Sequence, residues 1–204
     1  MNNEKRKLEW DGCFNIRDLG GLPAAGGRQT RRGMVVRADL LGRLTTQGKE
    51  QLIDYGVRSI IDLRSQSGRE VDPPIQFDGE VGAPRVYLLP LVENFDDIED
   101  QLDQGAGWAD VYAVFLDTYP QNYGRVLRAI AAAPDGGVVF YCFSGKDRTG
   151  LVAALLLELA GVDRELIAAD YALSQENLWP QYEEMVAEAG GEENVAYWYK
   201  PLTS

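Results

Sequence analysis

The sequence predicts an α/β domain built on a central, mostly parallel β-sheet flanked by helices. Three observations lead there. Short apolar runs of β-type residues alternate with segments of helical periodicity. The run Gly137-Val138-Val139-Phe140 feeds a short glycine-containing loop, and that loop feeds the apolar helical run Leu151 to Leu159. The length, 204 residues, suits one domain with one sizeable core. Sheets of this kind bind ligands beyond the carboxyl ends of their strands, so the loop after Phe140 is the expected site.

The elements follow in order. Residues 1–9 are polar and read as a flexible arm. The stretch 10–33 is rich in turn residues, with Gly20-Gly21 and Gly26-Gly27 marking tight turns or a hairpin. Met34-Val35-Val36-Arg37 reads as a short strand. Thr45 or Thr46 caps a helix through Tyr55, with Leu52 and Ile53 facing inward and Gly56 as its stop. Residues 57–63 form a buried strand, 64–82 a polar loop around Pro73-Pro74, and 84–91 another strand. The acidic stretch 93–107 reads either as a mobile lid over the site or as a solvated helix or loop. Helices are expected over 108–118 and 120–133, the second opened by a proline. Three more are expected over 149–160, 163–173 and 174–189. No repeat or linker interrupts the chain, so 1–204 is read as a single domain.

Composition excludes several chemistries. The chain has no histidine, which rules out a Ser–His–Asp triad, a Cys–His dyad and His-ligated zinc. No metal and no cofactor is expected. The formal net charge is −12, from 32 acidic and 20 basic residues. Long-range electrostatics therefore oppose nucleic acid and anionic membranes as stable partners. Residues 1–10 carry no apolar core of a leader, and the longest apolar run, Leu151 to Leu157, is too short to span a bilayer. A cytoplasmic location is expected, where a reactive thiol stays reduced.

The segment Tyr141-Cys142-Phe143-Ser144-Gly145-Lys146-Asp147-Arg148-Thr149-Gly150 carries the chemistry. A strand, a short loop and a helix N-terminus in that order form an anion cradle, lined by backbone N–H groups and the positive end of the helix dipole. Arg148 can clamp two phosphate oxygens with its planar fork. The same field favours a thiolate nucleophile, so a nucleophile and a phosphate site coincide in one loop. Gly145-Lys146-Asp147 is not a nucleotide-binding Walker loop, because no Ser or Thr follows the lysine directly.

This segment resembles the C-x5-R signature loop of the protein tyrosine phosphatase superfamily. Phe14-Asn15-Ile16-Arg17-Asp18-Leu19-Gly20-Gly21 is similar to the N-F-R-D-L-G-G segment of its bacterial and fungal tyrosine-phosphatase-like branch, some members of which act on phosphoinositides. Val36-Arg37-Ala38-Asp39-Leu40, Ile61-Asp62-Leu63-Arg64 and Asp170-Tyr171-Ala172-Leu173-Ser174 resemble further segments of that branch. The resemblance implies a cysteine-phosphatase-like fold and a phosphomonoester hydrolase working through a cysteinyl phosphate. Cys142 is then the nucleophile. Arg148 and the loop residues Phe143, Ser144 and Gly145 hold the phosphoryl oxygens, and Lys146 adds a cationic contact. Asp147 is the implied general acid and base. Thr149 is implied to donate its hydroxyl to the Cys142 sulfur, and Arg17 and Asp18 to brace the loop or hold its distal side.

Alternatives stand beside these roles. Asp147 also fits a helix cap, with Asp110 and Asp117 as reserve acids. Arg17 and Asp18 also fit simple turn stabilisation. Arg37 and Asp62 are candidates for one buried ion pair. Cys13 reads as a packed small residue, or as a disulfide partner that shields Cys142. Trp179-Pro180-Gln181 lies after the nucleophile and lacks an aspartate, so it is no acid loop. The family places histidine before its cysteine, whereas this chain has Tyr141, which alters rate and pH dependence more than reaction type. Phosphotyrosine protein is the leading substrate class. A small phosphorylated metabolite or a phosphoinositide is the same-chemistry alternative, and a non-catalytic phosphate-binding module the rival.

Overall fold

The computed structural model describes residues 5–93 and 107–195. Its strands are β1 (Arg17–Asp18), β2 (Pro23–Ala24), β3 (Arg28–Gln29), β4 (Val35–Ala38), β5 (Val57–Asp62), β6 (Arg85–Leu88) and β7 (Gly137–Tyr141). β2 and β3 pair as a small hairpin, and the rest form one sheet in the order β1-β4-β7-β5-β6. Within that sheet the β1–β4 pairing is antiparallel and the others are parallel. β7 is buried at every residue, as a central parallel strand covered on both faces should be.

The helices are α1 (Thr46–Asp54), α2 (Gln66–Val71), α3 (Trp108–Thr118), α4 (Pro120–Ala131), α5 (Asp147–Leu159) and α6 (Arg164–Ala189). Local chemistry sets their ends. The Thr45 side chain accepts from the Gly48 amide to start α1. Pro120 opens α4, where its missing N–H removes no helical bond. Asp163 caps α6, which stops at Gly190 with φ 74°.

The period of two along β7 divides the core and positions the site. Val138, Phe140 and then Cys142 pack with Val111 and Phe115 of α3, Val126 of α4 and Val152 of α5. Val139 and Tyr141 turn to the other face, among Val36, Ala38, Ile60 and Leu52. Tyr141 lies level with both Ala38 and Asp62 across the ladder. Three parallel strands thus end together, and their following loops share one rim.

Two buried polar clusters support that rim. In the first, Asp170 on α6 is ion-paired with Arg6, Arg17 at 3.2 Å and Arg37 at 2.8 Å. Burial disfavours its charge, but Arg17, Arg37 and Arg6 together hold its carboxyl well below the usual range. Burial and the neighbouring Arg37 in turn push Arg17 down to about 9, against the pull of Asp170. In the second cluster, Asp62 accepts from Arg64 Nη2 at 2.7 Å and from the Tyr141 hydroxyl at 2.7 Å. The Arg64 guanidinium also lies 5.3 Å from the centre of the Tyr141 ring.

Several expectations are corrected. Residues 5–9 of the supposed flexible arm belong to the fold: Arg6 is buried against Asp170, and Lys7 bridges to Arg17. The stretch 64–82 contains α2, capped by Ser65, and its polar composition hid it because none of its residues is buried. The helices expected over 163–173 and 174–189 are one. Ser174 starts no new helix because its hydroxyl accepts from Arg17 at 3.0 Å and Arg37 at 3.3 Å. Arg37 and Asp62 fall into separate clusters. The lid reading concerned 93–107, of which 94–106 lie outside the described residues. Among the described residues no helix is long and apolar enough to cross a membrane.

Asp170→Asn leaves three buried guanidinium groups without their counter-charge. It is expected to lower unfolding free energy by about 3–5 kcal/mol in urea titration at neutral pH. The native pKa of Asp170 is depressed, so its contribution is complete above about pH 4, the unfolded value. The difference between the two proteins should therefore shrink as pH falls below 4 toward the native value. Tyr141→Phe removes one donor from buried Asp62 while Arg64 remains, and about 1–3 kcal/mol is the expected loss in the same measurement.

Candidate active site

The loop from Cys142 to Arg148 hangs between the end of β7 and the first turn of α5. Cys142 is a free thiol, 2% exposed. Three successive loop carbonyls are tied to partners. Phe143 O accepts from the Leu40 amide at 2.9 Å, Ser144 O from Asn15 Nδ2 at 3.0 Å, and Gly145 O from Arg37 Nη2 at 2.8 Å. Carbonyls tied to neighbours leave a loop's amides for an anion, the principle of an anion nest. The N-terminus of α5 adds partial positive charge there. Gly145 has φ +67°, and a Cβ on it would come within 2.5 Å of the Ala38 carbonyl oxygen. Only glycine lets the loop lie this close to the end of β4.

The N-terminal segment is the loop's outer brace. Asp39 accepts from the amides of Phe14 and Asn15, both at 3.0 Å. Arg17 Nη1 donates to Asn15 Oδ1 at 2.5 Å, which turns the Asn15 amide nitrogen toward Ser144. Arg17 and Asp18 belong to this brace. Both are 1% exposed, and Asp18 accepts from the amides of Gly20 and Gly33 and from the Tyr55 hydroxyl.

Asp147 is the first residue of α5, with its side chain 21% exposed. Its Oδ1 accepts from the Tyr112 hydroxyl and lies 3.7 Å from Lys146 Nζ. The Lys146 ammonium sits 4.6 Å from the centre of the Trp108 ring. The Tyr112 hydroxyl also meets that of Tyr171. Both reserve acids are elsewhere engaged or open to solvent: Asp110 accepts from the Gly107 amide at 2.9 Å, and Asp117 is exposed.

The other expected residues fall as follows. Phe143 is half-buried, with the Arg43 guanidinium 5.2 Å from its ring centre. Thr149 is buried, and its hydroxyl has no hydrogen-bond partner among the described residues, so the expected bond to the Cys142 sulfur is absent. Cys13 donates to the Leu40 carbonyl at 3.4 Å, and burial with nearby Asp39 pushes its thiol up, so it remains a packed, inert group. Tyr141 stands behind the loop as a neutral donor, its phenol pushed up by burial and by Asp62. Among the described residues no group of three or more His, Cys, Asp or Glu side chains is assembled to hold a metal.

Sequence reasoning missed Asn15, Trp108, Tyr112, Tyr123 and Tyr171 as residues of this region. Tyr123 is 3% exposed, and burial pushes its phenol up. The aromatic spacing of Trp108, Tyr112 and Phe115 was the available signal for α3, because residues three and four apart share a helix face.

The family model described as the tyrosine phosphatase family matches residues 8–203. A tyrosine-protein phosphatase of Nostoc commune is 34% identical over 148 residues, covering 68% of this chain and 47% of that one. A Cupriavidus necator relative is 32% identical over 84% of this chain and 64% of its own length. The triple specificity protein phosphatase PtpB of Mycobacterium tuberculosis is 31% identical, over 88% of this chain and 73% of that one. The chain thus spans about half the length of the first of these relatives and under two thirds of the second. A solved structure of P. aeruginosa TpbA with phosphotyrosine aligns at TM-score 0.44 and 17% identity, over 84% of this chain and 80% of that one. Motif, loop architecture and a match along nearly the whole length agree, and the chain belongs to the tyrosine phosphatase family.

Proposed function

We propose that this protein hydrolyses phosphate monoesters through a cysteinyl phosphate, with phosphotyrosine in proteins as its leading substrate class. One observation carries the reading. Cys142 and Arg148 bracket a loop whose three carbonyls are tied back, which leaves amides, a helix terminus and a guanidinium for a tetrahedral anion. The names of the Nostoc and Mycobacterium relatives support the same class.

In the first step the Cys142 sulfur attacks phosphorus as the ester P–O bond breaks. Arg148 and the amides of Phe143, Ser144 and Gly145 hold the equatorial oxygens. Asp147 gives its proton to the leaving oxygen. In the second step the Asp147 carboxylate takes a proton from water while that water's oxygen bonds to phosphorus, and the thiolate departs. Lys146 is 4% exposed, and its ammonium is already engaged with Asp147 and Trp108. That arrangement favours a substrate with a single phosphate over a multiply phosphorylated inositol.

The expected outcome in para-nitrophenyl phosphate hydrolysis, with EDTA and reductant present, is activity that Cys142→Ser abolishes while vanadate still binds. Vanadate binding without turnover by the native protein would sink the proposal in favour of a phosphate-binding module. Asp147→Ala is expected to lose roughly 10²–10⁴-fold in kcat on phosphotyrosine peptide. It should also form a covalent phosphoenzyme detectable by mass after rapid quenching.

A further inference from the structure

Tyr112 and Tyr171 have no part in the chemistry described so far, yet the Tyr112 hydroxyl meets its acid and the Tyr171 hydroxyl meets that of Tyr112. Trp108, Tyr112 and Phe115 line one side of α3, with ring centroids 5.8 Å and 6.4 Å apart in succession. Phe115 is buried in the core beside Cys142, while Tyr112 is half-buried and reaches Asp147 Oδ1. The Tyr171 ring crosses that of Tyr112 edge to face, with centroids 6.1 Å apart. It also lies where a Cβ on Gly150 would approach within 2.8 Å. Glycine at 150 therefore lets α6 seat Tyr171 against α5, and the contact joins α3, α5 and α6 at the general acid.

Counting protons fixes the direction of these bonds. A carboxylate only accepts, so Tyr112 must spend its single proton on Asp147 Oδ1. The proton between the two phenols then comes from Tyr171. Burial, with the nearby Asp147 charge, pushes Tyr112 far up and Tyr171 up to about 12, so both remain donors at neutral pH. Lys146 Nζ also addresses Oδ1. Tyr112 thus engages Oδ1 and leaves Oδ2 open.

We infer that Tyr112, ordered by Tyr171, is a positioning residue that fixes Asp147 by Oδ1 and so keeps the transferable proton on Oδ2, facing the leaving oxygen. The inference rests on the phosphatase reading above. The proton that moves is the one on Oδ2: it goes to the leaving oxygen as the ester bond breaks, and Oδ2 regains one from water as the S–P bond breaks. The Tyr112 proton never leaves its phenol. Such a residue matters in proportion to the leaving group's need for protonation. It matters most for tyrosine itself, whose phenol has a pKa of about 10, and least for the far more acidic para-nitrophenol.

The test compares native protein, Cys142→Ser, Tyr112→Phe and Tyr171→Phe on an aryl phosphate series from para-nitrophenyl to phenyl, together with phosphotyrosine peptide. Read as kcat/KM, which reports only the leaving-group step, Tyr112→Phe should stay within roughly threefold of native on para-nitrophenyl phosphate. It should lose roughly 10–100-fold on phenyl phosphate and phosphotyrosine, part of the range a general acid contributes. Tyr171→Phe should change in the same direction by less, and vanadate affinity should hold in both. A parallel loss on every substrate, as a purely structural role gives, overturns the inference and leaves the phosphatase reading standing. So does no loss at all. If Tyr112→Phe fails to fold, the leaving-group slope of Tyr171→Phe decides in the same way. Native protein no more active than Cys142→Ser overturns both.

Discussion

The pairing of three buried arginines with Asp170 is the constraint on which the rest of the site depends. Arg6, Arg17 and Arg37 arrive from three parts of the chain and are each at most 2% exposed. Buried cations persist only when paired and hydrogen-bonded, and one carboxylate on α6 serves all three. What the cluster achieves is geometric. Arg37 passes from Asp170 to the Gly145 carbonyl, and Arg17 passes from Asp170 to Asn15, which holds the Ser144 carbonyl. The loop is shaped by groups whose own positions are set by charge balance beneath it.

The second polar cluster explains how the chain accommodates tyrosine before Cys142. Alternation along β7 sends residue 141 to the face opposite Cys142, among apolar side chains of the α1 side. A polar group there must find a buried partner. The Tyr141 hydroxyl finds Asp62, itself held by Arg64 through two nitrogens. Its phenol is pushed up by burial and by Asp62, so it stays a neutral donor at neutral pH.

Much of the fold was legible in the sequence because each main element satisfies local rules and global packing together. The apolar run of β7, the Thr45 cap and Pro120 each announced an element that forms. The site's centre was legible for the same reason: Cys142, Gly145, Asp147 and Arg148 lie within seven residues, so spacing alone brings them together. What stayed hidden is pairing at long range. Nothing in the residues near 112 points to an acid 35 positions away. Ser174 looked like a helix cap because serine favours that place, and only the two arginines above it show why it sits inside a helix. Arg6 looked solvent-bound for want of any local partner.

The Arg6–Asp170 contact spans 164 residues of chain, and that separation bears on how the protein is made. A ribosome delivers Arg6, Arg17 and Arg37 first and their counter-charge only with α6. Until then β1 and β4 would have to bury like charges, which disfavours early docking of the nascent sheet edge. Folding of the signature loop is thereby expected to wait until α6 has emerged, and fragments ending before α6 lack the carboxylate that pairs these arginines.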